Sequence, residues 1–451
     1  MAILKAIVQS PGSTFDSETV FVGDSFVRRL KIPTNTPVTL KFGALRHNVR
    51  VVSASQSGAI RFSDTLSSRL GVHPGVKLGL QYKTGSRTLA AGPLIGVLMS
   101  RVYSDTERPF SDSTAFCREL SDACQRSGAY AFFFTPDGIG TGQTVSGWSF
   151  ADRWRRGTFP VPDVVYNRLT ARKLENNPSV QHFFREVKSR YGATVFNERY
   201  LDKTEVFRAL QGDSALPRYL PESHAYTGFE QLRFMLGRYA SVFLKPITGS
   251  LGKGIIRVVK EGSAYVCHFA TLNGTVRQAY PSLAKAGAVI ASRVKGKRYQ
   301  IQQGLRLLSV GGRSADFRAL VQRNRQGEWM VTSVVARIAG SNQFVSNVAR
   351  GGTMMHAKPA LAKSSLSPAS QRAAFIGLRR AALDIAKGIE KQVKGHFAEL
   401  GIDLAVDTGG KVWLIEVNSK PSKNDNTQLS EGKIRPSVKM MVQYVHHLAG
   451  F

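Results

Sequence analysis

Three oxygen-bearing side chains near the C-terminus have the spacing of a metal site. The segment 401–421 predicts two strands joined by a turn at 407–410. Asp403 lies on the first strand, and Glu416 and Asn418, two residues apart, share one face of the second. A hairpin would bring them together, and such oxygen ligands suit Mg²⁺ or Mn²⁺ beside phosphate oxygens. The alternative, two surface carboxylates, is disfavoured by the apolar residues before Glu416.

A second segment has the composition of a phosphate-binding loop. The run 242–246 predicts a buried strand that ends near Lys245, and a glycine-rich turn follows it. Another strand comes next, so this is not a P-loop of the usual kind, which requires a helix. Glycines let backbone N–H groups approach an anion closely, and a buried cation requires an anionic partner. The turn consists of Gly249, Ser250, Leu251, Gly252, Lys253 and Gly254.

The net charge of +31 is unusually high and unevenly distributed. Residues 1–150 carry 16 Lys and Arg against 10 Asp and Glu, a net of +6, so the other residues carry +25. A field of this sign attracts polyanions such as ATP, an acidic peptide or protein, nucleic acid or an anionic assembly; general solubility is the alternative. The absence of helix-turn-helix, zinc-finger and RNP motifs from the sequence favours an acidic protein or peptide over sequence-specific nucleic acid.

Length and composition are those of a folded protein with several domains. The 451 residues, 42% of them hydrophobic, suffice for roughly two to four domains with sizeable cores. The sequence shows no apolar run of about 18 residues and no secretory signal pattern, so we expect no transmembrane segment and no export. Its three cysteines form no metal-binding pattern, and we interpret them as reduced thiols in a cytoplasmic protein.

Local patterns place several elements along the chain. Short strands between turns rich in Gly, Pro, Asn and Ser predict a small β-rich domain over 1–88. A strand–helix–strand pattern predicts a parallel α/β unit within 89–200. An amphipathic helix is predicted to begin at Pro368, directly after a serine, and a terminal helix is predicted over 436–451.

The order of these features resembles the ATP-grasp fold, and the details resemble the YheC/YheD family of endospore coat-associated ATP-grasp proteins. The resembling segments are 165–175, 218–222, 243–257, 316–318 and 415–421. The resemblance implies an α/β (α+β) architecture, with 89–200 as a preATP-grasp domain. It further implies an N-terminal ATP-grasp subdomain over 201–300, with the glycine-rich loop, and a C-terminal subdomain over 301–451, with the metal site.

The resemblance also implies which residues contact the nucleotide. Lys203 and Lys245 would bind ATP, and Gln303 on the hinge strand would face adenine. A solvated lysine is the alternative for Lys203. Many ATP-grasp enzymes have an acidic residue soon after the hinge for the ribose, and this chain has none over 303–315. Recognition of the ribose is therefore the point at which the chain departs from the family pattern.

Other residues would act on the transferred phosphoryl group. The resemblance implies that Arg318 and Arg337 stabilise it and that Asn347 lies in a loop nearby. The alternative for both arginines is pairing with carboxylates on the sheet. The tail that carries Lys420 and Lys423 is expected to close over the phosphate or the acceptor.

Polar residues at the end of an α/β strand suggest an acceptor site. Asn167, Arg168 and Arg172 follow the predicted strand 163–167, and ligands favour the C-terminal ends of strands in open α/β sheets. These side chains are candidates to hold an acceptor carboxylate. Equally, they are candidates to cap the following turn and to pair with Glu175.

Together these features predict an ATP-dependent carboxylate–amine ligase that acts through an acyl phosphate on an acidic peptide or coat protein. No side-chain nucleophile is required for that chemistry. Two alternatives belong to other classes of protein. One is a structural spore-coat protein with an ATP-binding but non-catalytic domain, and the other is an ATP-regulated nucleic-acid binder.

Overall fold

A closed barrel and three open sheets follow one another along the chain. They are seen in a computed structural model that describes residues 4–10, 15–140, 142–247, 254–271, 274–340, 352–423 and 432–451. The predicted α/β class is confirmed. No helix in these ranges is long and apolar enough to cross a bilayer.

The barrel contains a strand–helix–strand–strand unit that occurs twice. Its elements are β1 (Leu4–Gln9), β2 (Thr19–Gly23), α1 (Asp24–Leu30), β3 (Pro37–Phe42), β4 (Leu45–Ala54), β5 (Ala59–Arg61), α2 (Asp64–Leu70), β6 (Lys77–Lys83) and β7 (Thr88–Gly92). The strand order is β1-β5-β2-β4-β3-β7-β6, and β6 closes the barrel on β1. Because β7 pairs with both β3 and β6, the barrel extends to Gly92, beyond the predicted boundary at 88.

The second sheet is covered on both faces. It is built from β8 (Leu94–Leu98), α3 (Thr114–Ser127), β9 (Tyr130–Phe134), β10 (Thr144–Phe150), β11 (Trp154–Pro160), β12 (Val164–Asn167), α4 (Arg172–Glu175), α5 (Pro178–Tyr191) and β13 (Thr194–Phe196). The predicted parallel pairing of β8 and β9 is confirmed. The barrel and α5 share a core with one face. The other face packs against α3 and the C-terminal helix, so that helix belongs with this sheet as well as with the last subdomain.

The third sheet is antiparallel and has one face under helices. It follows α6 (Lys203–Gln211) and contains β14 (Ser223–Ala225), α7 (Phe229–Arg238), β15 (Ser241–Pro246), β16 (Ile256–Glu261), β17 (Ala264–Thr271), β18 (Gly274–Tyr280), α8 (Leu283–Val294) and β19 (Tyr299–Gln303). The strand order is β14-β19-β15-β16-β17-β18. Val242 and Leu244 enter the core with residues of α7 and α8. Phe243 and Lys245 alternate with them and therefore lie on the opposite face.

The fourth sheet carries the predicted metal hairpin. Its elements are β20 (Ser309–Val310), β21 (Arg313–Arg323), β22 (Trp329–Ile338), β23 (Thr353–His356), α9 (Ala357–Ala362), α10 (Pro368–Gln392), β24 (Glu399–Val406) and β25 (Val412–Asn418), and α11 (Pro436–Ala449) follows. The helix α10 begins at Pro368 as predicted, with Ser367 as its N-cap. Apolar residues of α10 pack on β21, β22 and β24.

Candidate functional site

Two lysines from different elements meet near one carboxylate. Lys203, the first residue of α6, places its Nζ 3.4 Å from Oε2 of Glu416 on β25. Burial and the charge of Lys203 lower the pKa of Lys245 to about 8, and Glu416 partly offsets them. The third and fourth sheets therefore face each other at this point. Two cations with one carboxylate between them leave an excess of positive charge, which suits an anionic ligand.

The hairpin predicted from the sequence is present and brings its oxygen-bearing side chains together. Strands β24 and β25 pair with Asp403 opposite Glu416, and an irregularity in register follows Asp403. Nδ2 of Asn418 lies 3.4 Å from Oδ2 of Asp403. Asp403 is buried, whereas the side chain of Glu416 is 26% exposed. The three residues form one cluster on the hairpin, where the fourth sheet faces the third.

Two arginines neutralise Asp403. Arg318, on the adjacent strand β21, donates from Nε and Nη2 to the two carboxylate oxygens, the Nη2 contact being 2.9 Å. Nη2 of Arg337 lies 3.1 Å from Oδ2 of the same carboxylate. Burial alone would raise the pKa of Asp403, but the two guanidinium groups outweigh it and lower the pKa. The carboxylate is therefore ionised and doubly paired.

Arg337 also holds a second carboxylate. Its Nε and Nη2 donate to the oxygens of Asp316 at 2.6 and 2.8 Å. Burial would lower the pKa of Arg337, but Asp403 and Asp316 raise it overall. Arg318 and Arg337 thus adopt the carboxylate pairing that was the alternative interpretation of both. The same pairing holds them beside the predicted metal ligands, so their action on a phosphoryl group stays a prediction.

The chemistry of the donor set fits a hard divalent cation. Asp403, Glu416 and Asn418 offer carboxylate and amide oxygens, which Mg²⁺ and Mn²⁺ prefer, and their number leaves positions for phosphate or water. The described ranges contain no cluster of three or more His, Cys, Asp or Glu side chains of the kind that forms a closed metal cage. Guanidinium groups contact both oxygens of Asp403, so a cation that bound there would share this carboxylate with the arginines or displace one of them.

Part of the predicted phosphate loop lies outside the described residues. Those residues are Gly249, Ser250, Leu251, Gly252 and Lys253, and Asn347 also lies outside. Gly254, the last residue of the loop, has a φ of 73°. Its carbonyl accepts a hydrogen bond of 3.1 Å from the hydroxyl of Tyr299. Because a side chain at this φ would be strained, a glycine is favoured where the loop enters β16.

On β19, the predicted hinge strand, Gln302 and not Gln303 lies on the face that carries Lys245. Gln302 accepts a hydrogen bond from Nζ of Lys245 and is only 3% exposed. Gln303 instead pairs with Glu222: its Oε1 accepts from the backbone N–H at 3.2 Å. Successive side chains on a strand point to opposite faces, and Tyr299 and Ile301 occupy the core face shared with Gln303. Gln302 is therefore the glutamine on the face that carries Lys245, and the contact of Gln303 with adenine stays a prediction.

The three predicted acceptor-binding residues bind the protein itself. Asn167 is fully buried and donates to Oε2 of Glu175 at 3.0 Å, which is the alternative interpretation. Arg168 donates to the carbonyl of Pro421 at 2.9 Å. Arg172 donates to the carbonyl of Leu201. Each of these contacts ties a loop to another part of the chain, and the binding of an acceptor carboxylate by these residues stays a prediction.

Sequence analysis missed two buried ion pairs just after the hairpin. Lys420 pairs with Glu175, and Lys423 pairs with Glu399 at 2.5 Å, with all four side chains at most 6% exposed. Glu399 also accepts a hydrogen bond from the hydroxyl of Tyr166. The expectation that these lysines close over a phosphate is therefore wrong for this structure. No local signal predicts the pairs, because the partners lie 245 and 24 positions apart and meet only in the folded chain.

Comparison with known proteins gives a consistent family. The family model described as YheC/D-like ATP-grasp matches residues 192–448. The chain is 30% identical over 340 residues to the endospore coat-associated protein YheD of Bacillus subtilis, covering 75% of this chain and 74% of YheD. It is 23% identical over 286 residues to YheC of the same organism, covering 62% and 77%. Among solved structures, D-alanyl-alanine synthetase A from Vibrio cholerae is similar with a TM-score of 0.47 and 11% identity, covering 80% and 99%.

Proposed function

The chain belongs to the YheC/D-like ATP-grasp family, and we propose that it is a ligase that uses ATP and Mg²⁺ to join a carboxylate to an amine. The observation that carries this proposal is the meeting of Lys203, Lys245 and Glu416 from α6, β15 and β25. Two cations with only one carboxylate are poorly compensated in a partly buried cleft. A polyphosphate supplies the missing negative charge.

In the proposed reaction, a carboxylate oxygen of the substrate attacks the γ-phosphorus of ATP, ADP leaves, and an acyl phosphate forms. An amine then attacks the acyl carbon, inorganic phosphate leaves, and the amine nitrogen loses a proton as the amide bond forms. Lys203 and Lys245, with the glycine-rich loop, would hold the phosphates. Such catalysis needs position and charge neutralisation and no protein nucleophile.

The arginines would exchange partners as the site fills. Asp403, Glu416 and Asn418 would hold Mg²⁺ or Mn²⁺, which neutralises phosphate charge when bound. The guanidinium groups of Arg318 and Arg337 would then leave Asp403 and donate to oxygens of the transferred phosphoryl group. The pairing of both arginines with Asp403 supports this exchange, because it holds them within reach of the ligand cluster.

The substrate we propose is an acidic peptide or protein, such as a component of an anionic coat. The net charge of +31 supports this choice, since such a field attracts polyanions and raises their local concentration. The relatives YheD and YheC are named as endospore coat-associated. A coat protein rich in Asp and Glu would fit both the positive charge of this chain and the coat association of its relatives.

The nucleotide site is tested by titration calorimetry with ATP, in the presence and absence of Mg²⁺, on wild type and Glu416→Ala. We expect Mg²⁺-dependent binding that Glu416→Ala weakens at least about tenfold, the effect of one lost charged contact. Glu230→Gln is the matched control, because Glu230 lies on α7 and its side chain is 72% exposed. Failure of the folded wild type to bind ATP would refute the nucleotide site.

The ligase activity is tested by release of ADP with amino acids, Glu-rich peptides and coat proteins as substrates. We expect ADP release to require both a carboxylate and an amine donor. ADP release should be faster with a Glu-rich peptide than with a Gly-rich peptide of equal length. Mass spectrometry of the product should show the mass of the amine added and the loss of one water. ATP binding without ADP release across the panel would count against the ligase.

A structural coat protein that binds ATP without turnover is the second candidate. The double pairing of Asp403 favours it, because the carboxylate that a catalytic metal needs is already satisfied by Arg318 and Arg337. In that case localisation to the coat should survive Glu416→Ala, and the wild type should release no ADP. A ligase predicts instead that the variant loses ADP release while it remains folded.

A further inference from the structure

Arg257 lies on the same face of the third sheet as Lys245. On β16 the side chains of Ile256 and Val258 enter the core beneath α7 and α8. Arg257 lies between them in sequence, so its side chain projects from the opposite face. The register pairs Arg257 directly with Phe243, and Phe243 lies two residues before Lys245 on β15. This face is the one on which Lys245 approaches Lys203 and Glu416.

The guanidinium of Arg257 is incompletely satisfied. Its Nε is buried and has no hydrogen-bond partner within the described part of the chain. Burial lowers the pKa of Arg257, and the charge of Glu261 offsets this only in part. Glu261 itself forms an ion pair of 2.8 Å with Arg277. Natural proteins rarely leave a buried donor unpaired, and an absent ligand is one of the few physical reasons for it.

Arg257 and Lys245 project from one face of two adjacent strands. They occupy diagonal positions on adjacent antiparallel strands, which separates such residues by roughly 7–8 Å. The ring of Phe243 lies between them, 5.9 Å from the guanidinium carbon and 5.7 Å from Nζ of Lys245. The polar partner of Lys245 on this face is the neutral side chain of Gln302. A phosphate above the ring of Phe243 would lie within reach of both cations.

We propose that Arg257 is a further nucleotide-binding residue, which together with Lys245 holds the phosphates of ATP. The two residues lie at the two ends of the connection 247–255 between β15 and β16, which contains the predicted glycine-rich loop. Cations from the two flanking strands would then hold one polyphosphate from two sides. This inference rests on the proposed nucleotide site and adds a residue that local sequence patterns did not single out.

The test is titration calorimetry of the full chain with ATP, ADP, AMP and adenosine, on wild type and Arg257→Gln. A charged group that donates hydrogen bonds to a phosphate should strengthen the binding of ATP and leave the binding of adenosine unchanged. We expect Arg257→Gln to weaken ATP roughly 10- to 100-fold and adenosine less than about twofold. Arg257→Lys, which keeps the charge, should recover part of the loss.

Two comparisons separate this effect from damage to the fold. Arg233→Gln removes one positive charge from α7, on the opposite face of the sheet, and should bind every nucleotide as wild type does. Since Nε of Arg257 has no hydrogen-bond partner and its other contacts are with the ring of Phe243 and the charge of Glu261, ligand-free Arg257→Gln should unfold within a few degrees of wild type.

The outcomes distinguish this inference from the proposed function. ATP binding that Arg257→Gln leaves unchanged would overturn the inference alone. An equal loss for ATP and adenosine would overturn it too, because that result assigns Arg257 to the base. A wild-type protein that binds no ATP would overturn the proposed function and this inference with it.

Discussion

Lys245 combines burial with a cationic neighbour, so its ionisation responds to whatever binds beside it. The pKa of Lys245 is lowered from 10.5 to about 8, first by burial and then by Lys203. Between these two pH values the folded protein binds fewer protons at this group than the unfolded chain does. The free energy of unfolding that this group contributes therefore rises as pH increases from about 8 to 10.5. An anion bound at Lys245 would raise its pKa and reduce this effect.

We expect the ATP affinity of wild type to fall between about pH 7 and pH 9, because Lys245 loses its charge near pH 8. Lys245→Arg keeps its charge across this range, so its affinity should change much less. Titration calorimetry at both pH values measures the difference. Lys420, whose pKa burial also lowers to about 8, provides the control: Lys420→Arg should follow the wild-type profile. If the ATP affinity of Lys245→Arg fell with pH as steeply as that of wild type, Lys245 would not be the source of the pH dependence.

The two carboxylates of the predicted metal site should differ in their effect on stability. Asp403→Ala removes a buried carboxylate and leaves the partly buried side chain of Arg318 without its partner, and we expect a loss of about 3 kcal/mol in the free energy of unfolding. Glu416 is partly exposed and makes one longer contact with Lys203, so Glu416→Ala should cost at most about 1 kcal/mol. Urea denaturation of the metal-free proteins measures both. Equal losses would contradict the burial difference.

At the scale of elements, β25 and the residues after it are tied to the second sheet and to the start of β24 in their own sheet. Lys420 reaches Glu175 at the end of α4, and Lys423 reaches Glu399 at the start of β24. Arg168, just after β12, donates to the carbonyl of Pro421 between them. These contacts hold the end of the strand that carries Glu416. The position of the metal hairpin therefore depends on the second sheet as well as on its own.

We expect Lys423→Met to destabilise the protein by about 3 kcal/mol, because Glu399 stays buried and loses its closest cation. Arg28→Met breaks an exposed ion pair with Asp24 of similar length and should change stability by less than about 0.5 kcal/mol. Thermal and urea unfolding measure both. If both variants lost the same free energy of unfolding, the buried pair would contribute no more to holding β25 than an exposed pair does elsewhere.

At the scale of the whole molecule, positive charge is concentrated in two regions. The barrel segment 1–92 holds 12 Lys and Arg against 4 Asp and Glu, a net of +8. Residues 93–150 hold 4 against 6, a net of −2, and residues 151–451 carry +25. The barrel and the chain from residue 151 onward, which includes the two sheets of the candidate site, are thus both basic, and residues 93–150 between them are slightly acidic. Both regions would attract the same polyanionic partner.

We expect the apparent KM for a Glu-rich peptide to rise several-fold between about 50 and 300 mM salt, with little change in kcat. Salt screens the field that concentrates an acidic substrate and leaves the chemistry in the cleft largely unaffected. Steady-state ADP release measures both constants, and a Gly-rich peptide serves as the control with a nearly constant KM. Tighter binding to random duplex DNA than to the peptide, with a steep salt slope and no ADP release, would favour the nucleic-acid binder instead.

Local patterns in the sequence determined the elements that carry the candidate site. The hairpin with Asp403 opposite Glu416 and the strand that ends near Lys245 depend on the period of two in strands and on turn residues, which act over a few positions. The start of α10 at Pro368 depends on the serine before it. The parallel pairing of β8 and β9 follows from the strand–helix–strand order. Each of these was predicted because its cause is local.

Only the tertiary structure decided which side chains share the site. The contacts of Lys203 with Glu416 and of Lys420 with Glu175 each join residues more than two hundred positions apart, and the pair of Lys423 with Glu399 spans the whole hairpin. Gln302 rather than Gln303 shares a face with Lys245 because helices cover the other face of β19. The packing of the C-terminal helix on the second sheet has no local signal. These features come from burial and charge pairing between distant segments, which a pattern along the chain does not encode.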